Sequence, residues 1–429
     1  MSLLLSNALI LQGNDFEPVR GFLGIRGAVI DYIGGERPAA VYDAEKDMQG
    51  AILIPGLVNA HGHAAMTLLR GIGSGLPLGR WLNEAVFPVE DRLTPGIVRA
   101  GNALALLEMI ACGTTSFTDM YNDPEVMVSQ CLDCGMKVNT GRPFLCFDPN
   151  EKLADSFRAR EAFALFEKYH MAGDGRIRIE FPIHAEYTNK SEPVRAFSAE
   201  VKKRGGRIHL HLSETKAEVD ACREKYGQTP PLFFASRGTF GNPTYAAHCV
   251  HLSDPDLQLL KQYHVVPVHC PSSNMKLASG IAPAARMVRE GLAPALGTDG
   301  CASNNNLNMF EEMHLAALLA KVGTGDATVL SARDVLRMAT VNGANAQGRE
   351  DTGLLEAGRK ADLCAVSVKG PHMYPDFDPA DLIVYSAQAS DVCLTVADGR
   401  VLYEDGRFLT LDREKILAEA EEAVKALYA

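Results

Sequence analysis

Apolar and polar residues alternate at both ends of the chain. Residues 8–11, 21–25 and 28–33 read as short strands separated by Gly and Asn. Residues 362–368, 391–396 and 400–403 repeat the pattern, with Asp398-Gly399 and Asp405-Gly406 as hairpin-turn dipeptides. Two strand-rich ends around a different middle predict one small β-sandwich domain built from residues 1–50 and 352–429. Its last stretch, 413–429, is charged and amphipathic and predicts a helix used for packing or as an interface.

The middle, 51–351, has another rhythm. Strand candidates at 51–60, 114–120, 137–143, 176–184, 207–211, 244–248, 265–271 and 293–298 alternate with helical patterns. The helical patterns include 98–111, 158–170, 193–204, 254–263 and 282–290. Such alternation predicts a parallel sheet, and eight units predict a (β/α)8 TIM barrel. A doubly wound open sheet is the alternative, but no Gly-rich phosphate loop follows any strand.

A barrel gathers its chemistry at the C-terminal ends of its strands. His61-Gly62-His63 ends the first, and residues two apart on a strand share a face. His211 ends the fifth, followed by Glu214. His248 ends the sixth and Asp299 the eighth. Imidazoles with one carboxylate suit one divalent metal ion, Zn²⁺ foremost and Fe²⁺ next, with a position left for water. Water held by such a centre has its pKa lowered to about 7. Glu214 is left over as an acid/base. His209 reads as a hydrogen-bonded core histidine one layer deeper. His251, past its strand end, reads as structural, and His269 keeps a weaker claim to line the pocket.

Bulk properties narrow the classes. The 429 residues carry 42 basic and 53 acidic side chains, a formal net charge of −11, which argues against nucleic acid or an anionic membrane as partner. No apolar run approaches a membrane span, and Met1-Ser-Leu-Leu-Leu-Ser lacks the basic start of a signal peptide. The ten cysteines are scattered, and Cys131-Leu-Asp-Cys134 has no second pair at zinc-ribbon spacing. Reduced, buried thiols in a cytoplasmic protein are the expectation.

Several segments together resemble the amidohydrolase superfamily and its aminohydrolase branch. They are Ile54-Pro-Gly-Leu-Val-Asn-Ala-His-Gly-His63, His211-Leu-Ser-Glu-Thr215, Ala247-His-Cys-Val-His-Leu252, Cys270-Pro-Ser-Ser-Asn274, Leu296-Gly-Thr-Asp-Gly-Cys-Ala-Ser-Asn304 and the 353–363 return to the β-domain. Met66-Thr-Leu-Leu-Arg-Gly71, Trp81-Leu82 and Phe87-Pro-Val-Glu-Asp-Arg-Leu93 look most like S-adenosylhomocysteine/5-methylthioadenosine deaminases. The resemblance covers almost the whole chain. It implies that His61, His63, His211 and Asp299 bind the metal, that His248 orients water, and that Glu214 relays protons while Asp299 doubles as base. It also implies that Glu90 accepts ribose hydroxyls, that His184 contacts the nucleoside and that Trp81 covers it. Ser303 would line the pocket and Arg142 would face a substrate carboxylate. The implied partner is a small nucleoside, and the implied assembly a dimer or tetramer. The same metal set serves other heterocycles, namely guanine, 8-oxoguanine, cytosine-like and triazine substrates. A non-catalytic metabolite-binding homologue is the remaining alternative.

Overall fold

The computed structural model describes residues 2–429. Strands from both ends of the chain join in a single sheet, nine-stranded among the described residues. Ser2–Gln12 lies inside it, antiparallel to Glu17–Arg26 and parallel to Ile52–Pro55, which in turn pairs antiparallel with Leu363–Val366. Val392–Ala397 and Arg400–Glu404 extend the sheet through the two predicted turns. Asp398 and Gly399 have φ of 46° and 72°, and Asp405 and Gly406 43° and 86°. Two successive positive φ values match the right-handed strand twist, which is why Asp-Gly is found there.

Eight parallel strand positions form the barrel among the described residues: Leu57–Asn59, Thr114–Asp119, Lys137–Thr140, 177–183, Ile208–Leu212, Thr244–His248, Val266–His269 and 295–300. Closure comes from the Ala60 amide donating to Leu296 O, and from Gly62–His63 pairing with Asp299–Gly300. Helices such as Pro95–Ala111, Phe157–Tyr169, Ser191–Lys203 and Met309–Thr324 fill the connections.

Three features differ from the expectation. The predicted strand 51–60 is two strands divided at Gly56. Ile52–Pro55 belongs to the terminal sheet and Leu57–Asn59 to the barrel. A Cβ at Gly56 would sit 2.2 Å from Thr115 Oγ1, so glycine alone fits this crossing. Strand four is also interrupted, at Glu180, between Ile177–Ile179 and Phe181–Ile183. Finally, the C-terminal helix Arg413–Tyr428 packs on the barrel rather than on the sheet. Its stripe of Ile416, Ala420, Ala423 and Leu427 meets Ala103 and Leu107 and the cluster around Val98 and Leu69, and Tyr428 donates to Leu68 O at 3.1 Å.

Lys137, buried at the base of strand three, is ion-paired with Asp362 at 2.5 Å and Asp398 at 2.8 Å. It fastens the barrel's lower end to the terminal sheet. Cys131 and Cys134 are buried free thiols. Among the described residues no helix is long and apolar enough to cross a membrane.

Candidate active site

The pairing that closes the barrel brings Asp299 beside both histidines of strand one. Asp299 Oδ1 lies 3.3 Å from His61 Nε2 and 3.2 Å from His63 Nε2. His211 Nε2 lies 3.4 Å from His63 Nε2. The outward nitrogens are occupied. His63 Nδ1 donates to Met120 O at 2.7 Å, and His211 Nδ1 to His184 O at 2.8 Å. A carbonyl only accepts, so each neutral ring carries its proton on Nδ1 and turns the Nε2 lone pair inward. Facing lone pairs in a buried pocket repel unless a cation lies between them.

Two further observations fit a metal. His61 Nε2 is buried without a hydrogen-bond partner among the described residues. The ligand-capable atoms of His61, His63 and His211 lie within 4.8 Å of one another, as do those of His61, His248 and Asp299. Three imidazoles and one carboxylate are a donor set for a first-row divalent ion.

Asp299 is anchored on its far side. Its Oδ2 accepts from Ser273 Oγ at 2.6 Å and Ser303 Oγ at 2.8 Å, while Oδ1, which also accepts from the Gly300 amide at 2.8 Å, faces the cluster. Burial alone would raise its pKa, but His61 and His63 hold it well below the usual carboxylate range. Its φ of 61° and the 73° of His248 lie in the left-handed region, which non-glycine residues rarely adopt. Such strain gathers where side chains must be aimed.

His248 Nδ1 donates to Asn274 Oδ1 at 2.9 Å, and its Nε2 is 3.8 Å from Glu214 Oε2. Burial opposes its charge, but Glu214 and Asp299 outweigh burial and raise its pKa. Glu214 is raised by burial and by Asp299, partly offset by His248 and by Ser279, whose hydroxyl donates at 3.2 Å. The turn carrying Glu214 is held by Glu218, which accepts from the amides of Ser213 and Glu214, each at 2.8 Å. Glu218 also completes the capping box of helix Lys216–Tyr226.

The residues expected to meet substrate are less uniform. His184 sits at the end of strand four with its ring centroid 4.9 Å from that of His211, its pKa pushed down to about 3 by burial and by His63. Glu90 is half-buried and feels the charge of His63. Burial raises its pKa, and Tyr121 and His63 act against that rise. Ser303 is fully buried and turned to Asp299. Arg142 pairs with Glu161 at 3.2 Å and donates to Asn122 Oδ1 at 3.3 Å. Trp81 is buried among Leu68, Leu69 and Val86, its indole N–H on Ile72 O at 3.2 Å. It is part of the core of its own segment.

Sequence reasoning passed over Ser273 and Asn274 as functional residues. Their signal was the polar run Pro271-Ser-Ser-Asn274 immediately after strand seven. It also passed over Glu180, the one carboxylate in the run Ile177-Arg-Ile-Glu-Phe-Pro-Ile183.

The fold and its cluster define a barrel with a donor set suited to a divalent metal ion at its mouth. The chain belongs to the Amidohydrolase family, whose model matches residues 52–402. It is 43% identical over 395 residues to a 5'-deoxyadenosine deaminase of Methanosarcina acetivorans, covering 92% of this chain and 91% of that one. It is 41% identical over 432 residues to a 5-methylthioadenosine/S-adenosylhomocysteine deaminase of Acetivibrio thermocellus, covering 99% of each. Among solved structures it superposes with a TM-score of 0.93, at 32% identity, on an adenosine deaminase from Xanthomonas campestris with bound zinc, covering 99% of this chain and 98% of that one.

Proposed function

We propose that this protein hydrolytically deaminates adenosine-type nucleosides, releasing ammonia and the inosine-type product. The observation that carries the reading is Glu214, protonatable and buried, standing beside His248 at the edge of a four-ligand cluster. The relatives' names supply the substrate class: 5'-deoxyadenosine, 5-methylthioadenosine, S-adenosylhomocysteine and adenosine.

His61, His63, His211 and Asp299 would hold the ion, which we take to be zinc. When bound, it acidifies a water to a pKa of about 7 and so provides a nucleophile at neutral pH. His248, its Nδ1 tied to Asn274, would present Nε2 to that water and orient it. Asp299 takes one proton as the water oxygen bonds to the amino-bearing ring carbon. Glu214, carrying its proton, gives it to the neighbouring ring nitrogen, which offsets the loss of aromaticity. Asp299 then passes its proton to the amine, and the C–N bond breaks to release ammonia. The hydroxyl proton of the addition product returns to Glu214 as the carbonyl forms, leaving both carboxyls as they began.

Glu90 would accept the ribose hydroxyls and His184 would edge the nucleoside. Arg142, already engaged by Glu161, would meet a substrate carboxylate only by exchanging that partner. We read the terminal sheet as a β-sandwich that braces the barrel. We read the working form as a dimer or tetramer, for which Phe157, 62% exposed, offers apolar surface beside Arg142.

The test is a zinc-replete assay of absorbance loss and ammonia release with adenosine, 5'-deoxyadenosine, methylthioadenosine, S-adenosylhomocysteine, guanine and adenine. Turnover of the nucleosides is expected. Turnover of free bases alone would reject the reading.

A further inference from the structure

Two of the three histidines in the cluster rest on backbone carbonyls, and the third does not. His61 Nδ1 faces His209 Nε2 at 3.0 Å. An imidazole nitrogen can donate or accept, so this contact does not by itself say where the proton sits. On its other side, His209 Nδ1 lies 3.4 Å from Glu180 Oε1, close enough for the carboxylate to act on it electrostatically though outside hydrogen-bond geometry. All three residues are 1% exposed or less.

We propose that Glu180 and His209 form a buried positioning relay that fixes His61 in the tautomer a metal ligand requires. The proposal rests on His61 being a ligand. Glu180 accepts from Tyr245 Oη at 2.6 and 2.5 Å and from Asn139 Nδ2 at 3.2 Å. Its Oε1 is the oxygen beside His209 Nδ1, and it favours the tautomer that carries the ring proton on that nitrogen. His209 Nε2 is then a bare lone pair and can only accept. His61 must donate to it from Nδ1, which leaves Nε2 unprotonated and aimed into the cluster. With the opposite tautomer on His209, its Nε2–H would donate to His61 Nδ1. The proton of His61 would be forced onto Nε2, and the ligand would be lost.

The surroundings hold this arrangement in place. His209 stacks on Tyr245 at 4.4 Å between centroids and 11° between planes, which fixes the ring's rotation. Tyr245 spends its one O–H on Glu180, so Thr118 Oγ1, 3.0 Å away, donates to the phenol oxygen while accepting the Gln347 amide at 3.1 Å, which fixes the phenol from its other side. The break in strand four falls at Glu180 itself, so the carboxylate enters the barrel where the strand pairing changes sides.

The experiment measures zinc affinity by competition with a chromophoric chelator, and the His61 tautomer by ¹⁵N-histidine NMR. His209→Phe keeps the ring volume and removes the acceptor, whereas His209→Gln restores an oxygen near the position of Nε2. His209→Phe is expected to weaken zinc about 10–100-fold, the usual effect of removing a ligand's hydrogen-bond partner. His209→Gln is expected to recover most of that loss. Glu180→Gln, isosteric and the variant to rely on if His209→Phe fails to fold, should weaken zinc and transfer part of the His61 proton to Nε2. Folded His209→Phe and Glu180→Gln proteins binding zinc within about twofold of the parent, with His61 still protonated at Nδ1, would overturn the relay. The parent's own titration tests the metal reading separately: one zinc per chain supports it, and none overturns both.

Discussion

Around the metal cluster each imidazole has one fixed partner behind it: Met120 O for His63, His184 O for His211, His209 for His61 and Asn274 for His248. The arc above the cluster is built differently. Arg142 is spent on Glu161, Trp81 on the backbone of its own segment, and Glu90 lies half-buried on the helical stretch 78–90. Strand ends, locked into the closed sheet, position the bond-breaking groups. On the proposed reading, recognition falls, apart from His184 at the end of strand four, to residues less tightly tied to that sheet. Chemistry and selectivity should therefore respond separately to substitution.

The sharpest separation is expected at Glu214. Glu214→Gln keeps its shape and its neighbours but cannot cycle a proton. Turnover should fall about 10³-fold, within the usual range for removing a general acid/base, with zinc content unchanged. Ammonia release alongside metal analysis checks both halves. Retained turnover would remove Glu214 from the mechanism.

From the arc, Glu90→Gln should lower kcat/KM for nucleosides about 10–100-fold, the loss of a charged hydrogen bond worth roughly 1.5–3 kcal/mol, and should not touch zinc affinity. If the deficit also appears in zinc binding, the two regions are not separable. Behind the cluster, Ser273→Ala removes one of two hydroxyls on Asp299 Oδ2. Its expected cost is about 1 kcal/mol in the barrier, near fivefold in kcat, with KM little changed. A change confined to KM would mean that Ser273 serves substrate instead.

The same division explains what the sequence made legible. Period-two spacing put His61 and His63 on one face, and barrel topology put Glu214, His248 and Asp299 at the same mouth, because strand ends obey simple geometry. Alternation and Asp-Gly turns announced the terminal sheet. Strand breaks at Gly56 and Glu180 were not legible, since each depends on the close approach of a distant backbone or side chain. Nor was the target of Ser273, since its partner Asp299 is 26 residues away on another strand. The resemblance implied that Trp81 covers the nucleoside, whereas the contact its indole N–H makes, a carbonyl nine residues back, could not be read from the sequence. The C-terminal helix showed its apolar stripe but not the surface it would cover.

The smallest expected effect on turnover lies one step behind the Asp299 turn. Asn304 Nδ2 donates to Thr298 O and to Glu312 Oε1, both at 2.7 Å, and Glu312 Oε2 accepts from the Ser272 amide at 3.2 Å. Glu312 thus ties together the turns that carry Asp299 and Ser273. Burial pushes its pKa up to about 8. Below its ordinary value near 4.5, folded and unfolded chains both hold the proton, and the contribution to stability is complete. As pH rises the unfolded chain ionises first, so stability falls until the folded carboxyl ionises near 8. The slope for this one group is at most about 1.4 kcal/mol per pH unit. Glu312→Gln cannot titrate. Denaturation midpoints of the zinc-replete parent and variant, compared from pH 5 to 9, isolate this group because every other titrating residue is shared. The parent should lose stability relative to the variant as pH rises from about 5 to about 8, while their turnover stays alike. Parallel pH profiles would mean that the hydrogen bonds from Asn304 and Ser272 keep Glu312 ionised, and that support for Asp299 reaches further from the metal than the two serines.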